Sequence, residues 1–205
     1  MESLIIITII IILFMYLIFF CRIKNNNSES FSNRNLQNIY NQPLQPCRIE
    51  NMSSGSWDNQ GKCSETDGGV HQICINNIAN NTPNFSSNTG QTNWSDQRGQ
   101  DNHCVCLGAW SLYNANGNKP TNVLKCDAIP KIALTTDYVN KFSQGWNKWN
   151  DLELDNQIID GVEGLVNNCY QGNNSNSNQL KQNYCQFASQ VPSLQDRELY
   201  RNLCS

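Results

Sequence analysis

The sequence predicts an α+β protein: one small single domain, preceded by one transmembrane helix and followed by a helical C-terminal extension. Three observations carry this. Leu4 to Phe20 is apolar except for Thr8 and the hydroxyl of Tyr16. Turn residues (Pro43, Pro46, Gly55, Gly61, Gly68-Gly69, Gly90) punctuate short apolar runs in the middle of the chain. Beyond Thr135 the apolar residues fall into the spacing of helices. The corresponding division is 1–24 anchor and basic flank, 25–37 polar tether, 38–142 cysteine-rich α+β domain, and 143–205 helical extension carrying Cys169, Cys185 and Cys204.

The anchor follows from length. At about 1.5 Å of rise per residue, Leu4 to Phe20 approaches the roughly 30 Å hydrocarbon thickness of a bilayer. A cleaved leader would carry a positive charge before the run and small residues at its end. Here Glu2 is the only charged side chain before it, and Phe19-Phe20-Cys21 is a poor cleavage site. The lipid bilayer is therefore an expected partner through a single uncleaved span. Arg22, Lys24 and Arg34 follow the span, and the positive-inside rule then puts the C-terminal domain on the cytoplasmic side. The opposite orientation would suit disulfides. Asn-x-Ser/Thr triplets at Asn26, Asn51, Asn80, Asn84, Asn93 and Asn173 do not decide the side, because an Asn- and Ser-rich chain produces them by chance.

Composition narrows the function classes. Charged residues make up 15% of the 205 residues, against roughly 25% in ordinary soluble domains. Asn, Gln and Ser take their place. A net charge of −3 with no basic stripe excludes a nucleic-acid grip, which needs clustered cations to displace counterions. No phosphate loop, Ser-His-Asp order or carboxylate pair is present, and two histidines leave little room for acid–base chemistry.

Along the chain, the folded part is expected to begin at Asn38-Ile39-Tyr40. Val70 to Ile78 reads as a strand or short helix. Cys104 to Asn114 reads as a buried strand or helix, which periodicity alone does not decide. Asn116-Gly117-Asn118-Lys119-Pro120 is a turn, and Asn122 to Asp127 suits a short strand. Thr136 caps an expected helix over Asp137 to Phe142. Within Trp149 to Cys169, residues Ile158, Val162, Leu165, Val166 and Cys169 share one helical face. A loop through Asn178 then leads to helices over Leu180 to Val191 and Ser193 to Leu203, with Pro192 between them. The tail is expected as a helical hairpin pinned by Cys169–Cys185, and as a surface for protein partners. Phe142, Trp146 and Trp149 read as the seam where a helix docks.

The ordered motifs Pro43-Leu44-Gln45-Pro46-Cys47, Gly61-Lys62-Cys63, Asp67-x-Gly69-x-His71-x-x-Cys74, Phe85-Ser86, Cys104-Val105-Cys106-x-x-x-Trp110 and Ala128 through Leu134 resemble the family known as domain of unknown function 2237. The resemblance covers about residues 38–142. It implies a compact α/β-type domain and brings no established activity. The family carries an aromatic where His103 stands, and a Gly-Asn-Asp-Leu-type segment where this chain has Gly90-Gln91-Thr92-Asn93-Trp94. An anchored, Asn-rich version with a cysteine-bearing tail fits a large DNA virus, with a virion membrane as the site, or an AT-rich protist.

The candidate site lies where Asp67 to Cys74 meets Asn102 to Tyr113, the two segments that hold both histidines. One reading is a zinc site drawn from Cys63, His71, Cys74, Cys104 and Cys106, although Cys-x-Cys is too short for a knuckle turn. A second is thiolate chemistry, with Cys74 or Cys106 activated by His71 and Asp67 as the orienting group. The preferred reading is structural. Cys47, Cys63, Cys74, Cys104, Cys106 and Cys126 brace the domain, Cys169, Cys185 and Cys204 brace the tail, and no cofactor is needed. The sequence thus points to a membrane-anchored structural or interaction protein. The alternative is a cysteine- or zinc-dependent enzyme or redox protein using the His71/Cys74/Cys104/Cys106 cluster.

Overall fold

The segment left open between strand and helix is both. β2 runs from His103 to Cys106 and passes directly into helix α3, Leu107–Ala115. Cys106 makes the change: its backbone is extended (φ −72°, ψ 149°) while it stands at the N-cap of α3. The structure, a computed structural model, describes residues 37–48, 60–63, 71–136 and 156–205. The expected anchor from Leu4 to Phe20, the tether, Asp67, the Asp137–Phe142 helix and the Trp146/Trp149 cluster lie outside them. Among the described residues no helix is long and apolar enough to cross a membrane.

β2 pairs antiparallel with β1, His71–Ile75. Ile75 lies opposite His103, Cys74 opposite Cys104, and Ile73 opposite Val105. A bulge between His71 and Ile73 then brings His71 opposite Cys106. The far edge of β1 is covered by the segment expected as a third strand. That segment supplies only a bridge, Ile75 to Leu124, flanked by Lys125 N–H to Cys74 O (3.0 Å) and Asn76 N–H to Val123 O (2.8 Å). It then tightens into a 3-10 turn at Cys126–Ala128.

Helix α1 (Ile78–Asn81) and helix α2 (Phe85–Asn88) follow β1 as single turns. α3 is the central helix, with seven of its residues from Leu107 to Asn114 buried, so it shows no polar stripe for solvent. Helix α4 (Asn156–Cys169) packs on it, and the residues of its predicted face, Ile158, Val162, Leu165, Val166 and Cys169, are all buried. Glycines set the separation. A Cβ on Gly161 would stand 2.0 Å from Ser111 Oγ and 2.7 Å from Ser111 Cα, and one on Gly164 would stand 2.6 Å from Asn114 Oδ1. The two backbones therefore approach more closely than any side chain at position 161 permits.

Helix α5 (Ser175–Ala188) starts earlier than its apolar pattern predicts, because Asn174 caps it by accepting the Ser177 N–H at 2.8 Å. The expected loop through Asn178 is shorter as a result. The last predicted helix is broken in two, α6 (Pro192–Gln195) and α7 (Glu198–Cys204). Arg197 between them is extended (φ −82°, ψ 149°). Its guanidinium reaches Asp160 at 2.6 Å and Glu163 at 2.7 Å on α4.

The tail is not a separate appendage. Residues Asn35–Ser205 form one compact unit, and the expected division near residue 143 does not separate two bodies. Asn38, Ile39 and Tyr40 are buried at its start. Tyr40 donates its hydroxyl to Cys169 O at 2.9 Å, and Asn183 Nδ2 donates to Ile39 O at 2.9 Å. Buried asparagines recur as connectors. Asn168 accepts the Val123 N–H at 3.0 Å and donates to Pro120 O and Gly164 O at 2.8 Å each. Carboxamides serve here because each carries both donors and acceptors for loop backbone that has no ladder partner.

Four disulfides join Cys47–Cys74, Cys63–Cys104, Cys126–Cys169 and Cys185–Cys204. The expected Cys169–Cys185 bridge is corrected. Cys169 closes α4 beside the 3-10 turn that holds Cys126, with Cα atoms 5.7 Å apart, while Cys185 on α5 meets Cys204 on α7 with Cα atoms 5.5 Å apart. Among the described cysteines only Cys106 keeps its thiol, and it is buried. Its expected place among the bracing bridges is likewise corrected.

Candidate functional site

The two histidine-bearing segments do meet, at the end of the ladder where the β1 bulge turns His71 toward Cys106. Both line a cavity of about 340 Å³ together with His103, Trp94, Arg98, Gln91 and Phe85. The whole of β2 forms its floor. β2 has β1 on one side and this cavity along the rest, an arrangement possible because the sheet has two strands among the described residues.

The opposite wall is a loop held by hydroxyls. Ser86 and Ser95 share a 3.0 Å contact between their Oγ atoms. Ser95 Oγ also accepts the Ser86 N–H at 3.0 Å, and Ser86 Oγ accepts the N–H groups of Trp94 and Ser95 at 3.1 and 3.2 Å. This fixes Trp94, whose indole N–H donates to Gln91 Oε1 at 3.0 Å. The Trp94 ring lies 4.7 Å from that of His103 and 6.3 Å, edge-on, from that of Phe85. The Arg98 guanidinium stands 5.6 Å from the Trp94 ring centre, within cation–π range.

Burial decides the protonation states. His103 is pushed down to about 3, first by desolvation, then by repulsion from Arg98, from His71 when protonated and from Arg48, with Asp101 opposing. Desolvation also lowers His71. Desolvation pushes the Cys106 thiol up to about 11, although the Ala109 N–H at the start of α3 favours the thiolate. At neutral pH the cavity therefore presents two neutral imidazoles, a protonated thiol and the Arg98 cation. Such a thiol is a weak nucleophile until a base removes its proton.

The other predicted site residues are distributed differently. Cys74 is bonded to Cys47, so it offers no thiolate to His71. The expected His71–Cys74 meeting needs a helix, and the segment is a strand. Cys63 and Cys104 are bonded to each other, so the five-residue zinc set is not a ligand set in this disulfide-bonded form. Of the catalytic candidates, His71 and Cys106 are brought together and Asp67 lies outside the described residues. Sequence reasoning does not select Gln91, Trp94 or Arg98. The spacing of Trp94 and Arg98, four apart in a turn-rich stretch, is the one signal that could have found them.

The fold and its site define a class: a disulfide-braced α+β domain with an aromatic- and histidine-walled cavity on one strand edge. No protein-family model, curated protein or solved structure matches the chain.

Proposed function

We propose that this chain is a membrane-anchored interaction domain, displayed on an oxidising face of the bilayer, whose recognition site is the cavity beside β2. The observation that carries the reading is the cysteine inventory: every described cysteine except Cys106 is in a disulfide. Disulfides persist in oxidising compartments, which outweighs the small charge asymmetry around the apolar run and reverses the orientation expected from it. The cavity suits a single inserted side chain. Its volume of about 340 Å³ is at the low end for ligand sites. Trp94 and Phe85 supply apolar walls and Arg98 a cation, which together favour a partner side chain that carries a carboxylate on an apolar stem.

Photo-crosslinking from a benzophenone amino acid at position 94, in membranes holding the full chain, tests this. A discrete protein adduct, lost in Arg98→Ala, is expected. Adducts indistinguishable from those formed at the exposed Lys119 would overturn it.

A second reading is favoured by one observation, the juxtaposition of His71 and Cys106 at the N-cap of α3. There His71 is the general base for a Cys106 nucleophile, and the first N–H groups of α3 stabilise developing negative charge. It requires that His71→Ala slow the alkylation of native Cys106 at neutral pH. An unchanged rate eliminates it.

A further inference from the structure

We propose that Cys47, Cys63, Cys74 and Cys104, when reduced, form a tetrathiolate site for one zinc-class divalent cation. Two bridges converge at one place in the core. The sulfurs of Cys47, Cys63 and Cys74 lie within 4.8 Å of one another, and all three residues are buried. Cys104 is bonded to Cys63 and lies directly opposite Cys74 on the ladder, so a fourth sulfur adjoins this cluster. Among the described residues no other group of three cysteine, histidine or acidic side chains is this close. A tetrahedral zinc with bonds of about 2.3 Å places its sulfurs roughly 3.8 Å apart. To reach that geometry the two bonded pairs open from bonding distance once reduced, and the Cys63 sulfur, within 4.8 Å of those of Cys47 and Cys74, draws in by up to about an ångström.

The backbone at Cys47, Cys74 and Cys104 is held by bonds that do not need the bridges. Cys47 donates its N–H to Gly61 O at 2.8 Å, and its carbonyl accepts Asn102 Nδ2 at 2.9 Å. Cys74 and Cys104 are ladder residues, and Cys74 O accepts the Lys125 N–H at 3.0 Å. Once the bridges open, the thiols of Cys47, Cys74 and Cys104 therefore stay in place, and Cys63, two residues from the Gly61 carbonyl that accepts the Cys47 N–H, stays beside them. A dithiol or phosphine reductant supplies two electrons to each bridge, and each bridge takes up two protons. The cation then displaces one proton from each thiol. After removal of the metal, an exogenous disulfide accepts two electrons from each thiolate pair by thiol–disulfide exchange, leaves as two thiolates and restores the bridges. The metal form holds the correct cysteines together before oxidation, in a chain whose other cysteines are competing partners.

The test uses the full chain, reduced anaerobically with a phosphine and titrated with Co²⁺ alone. Saturation at one equivalent is expected, with thiolate-to-cobalt charge transfer and the intense visible bands of a tetrahedral site. Alkylation and peptide mass mapping should then find Cys47, Cys63, Cys74 and Cys104 protected by metal, and Cys126, Cys169, Cys185 and Cys204 modified. Cys104→Ser should weaken Co²⁺ binding at least tenfold. Absence of the tetrahedral spectrum overturns the proposal. So does metal protection of any other set of cysteines, which is how adventitious binding to an unfolded reduced chain would read.

Discussion

The indole N–H of Trp110 donates to the backbone carbonyl of Gly161 at 2.9 Å, across the interface between α3 and α4. A helix carbonyl is within reach of a buried tryptophan on the facing helix because Gly161 lets the two backbones approach at Ser111. The same contact makes the position intolerant. Alanine is favoured over glycine in a helix by about 1 kcal/mol, yet a Cβ at 161 would meet Ser111 Cα, a backbone atom, at 2.7 Å. Gly161→Ala is expected to destabilise the domain by more than about 2 kcal/mol. Gly164→Ala meets the Asn114 side chain, which can move, and is expected to cost about 1 kcal/mol or less. Urea denaturation of both variants checks the order; equal effects would refute the close-approach account.

Asn168 joins α4 to the turn that precedes Val123 through three hydrogen bonds. Asn168→Ala leaves the Val123 N–H without its acceptor and is expected to lose about 2–3 kcal/mol. Asn168→Asp keeps the acceptor but loses both donated bonds. It also sets a buried carboxylate oxygen against two carbonyl oxygens, so it should cost at least as much as the alanine variant at neutral pH.

The Cys126–Cys169 bridge spans 43 residues and ties α4 to the β1 edge, and Cys185–Cys204 spans 19. Loop-entropy arguments assign about 4 kcal/mol to the first and about 3 kcal/mol to the second. The paired substitution Cys126→Ala with Cys169→Ala should therefore lower the denaturation midpoint more than Cys185→Ala with Cys204→Ala. The reverse order, read from denaturant titrations under non-reducing conditions, would argue against a loop-entropy origin.

Acid should loosen the cavity. His103 in the folded chain takes a proton only near pH 3, while the unfolded chain takes it near 6.5. Its contribution is therefore complete above pH 6.5 and is lost as the pH falls toward 3, at up to about 1.4 kcal/mol per pH unit. His71 acts in the same direction. In urea titrations between pH 7 and 4, His103→Phe should show a shallower loss of stability than the native chain. Parallel profiles would refute this assignment.

Cys106 should be slow to alkylate in the native chain. With its thiol pushed up to about 11, it is roughly a hundredfold less ionised at neutral pH than an ordinary thiol of pKa about 9. Its iodoacetamide rate should rise about tenfold per pH unit toward 11, and His71→Ala should leave that rate unchanged. Because the folded value is raised, the stability it contributes is whole below about pH 9 and is lost as the pH rises through 11. A rapid neutral-pH reaction that depends on His71 would instead support catalysis.

The α4 face is legible in the sequence because one amphipathic period runs the length of the helix, from Ile158 to Cys169. Cys104–Asn114 is not, because strand and helix there are joined without punctuation and both are buried. The first turn of α5, Ser175 to Asn178, is hidden because these residues are weak helix formers, and Asn174 compensates by capping. The break at Asp196-Arg197 is invisible, since its cause is a pair of carboxylates more than thirty residues away on α4.

By itself the sequence determined the class, α+β with a cysteine-braced middle and a helical end, and it located the segments that carry both histidines. Those properties follow from local period, turn chemistry and composition. Only the tertiary structure decided which cysteines pair, that Cys106 is left over opposite His71, and that Trp94 and Arg98 complete the cavity. Each of these depends on which distant segments come within a few ångströms of one another. That is set by a bulge in β1, by the close approach at Gly161 and by the hydroxyl-held loop, and none of these leaves a periodic signal in the chain.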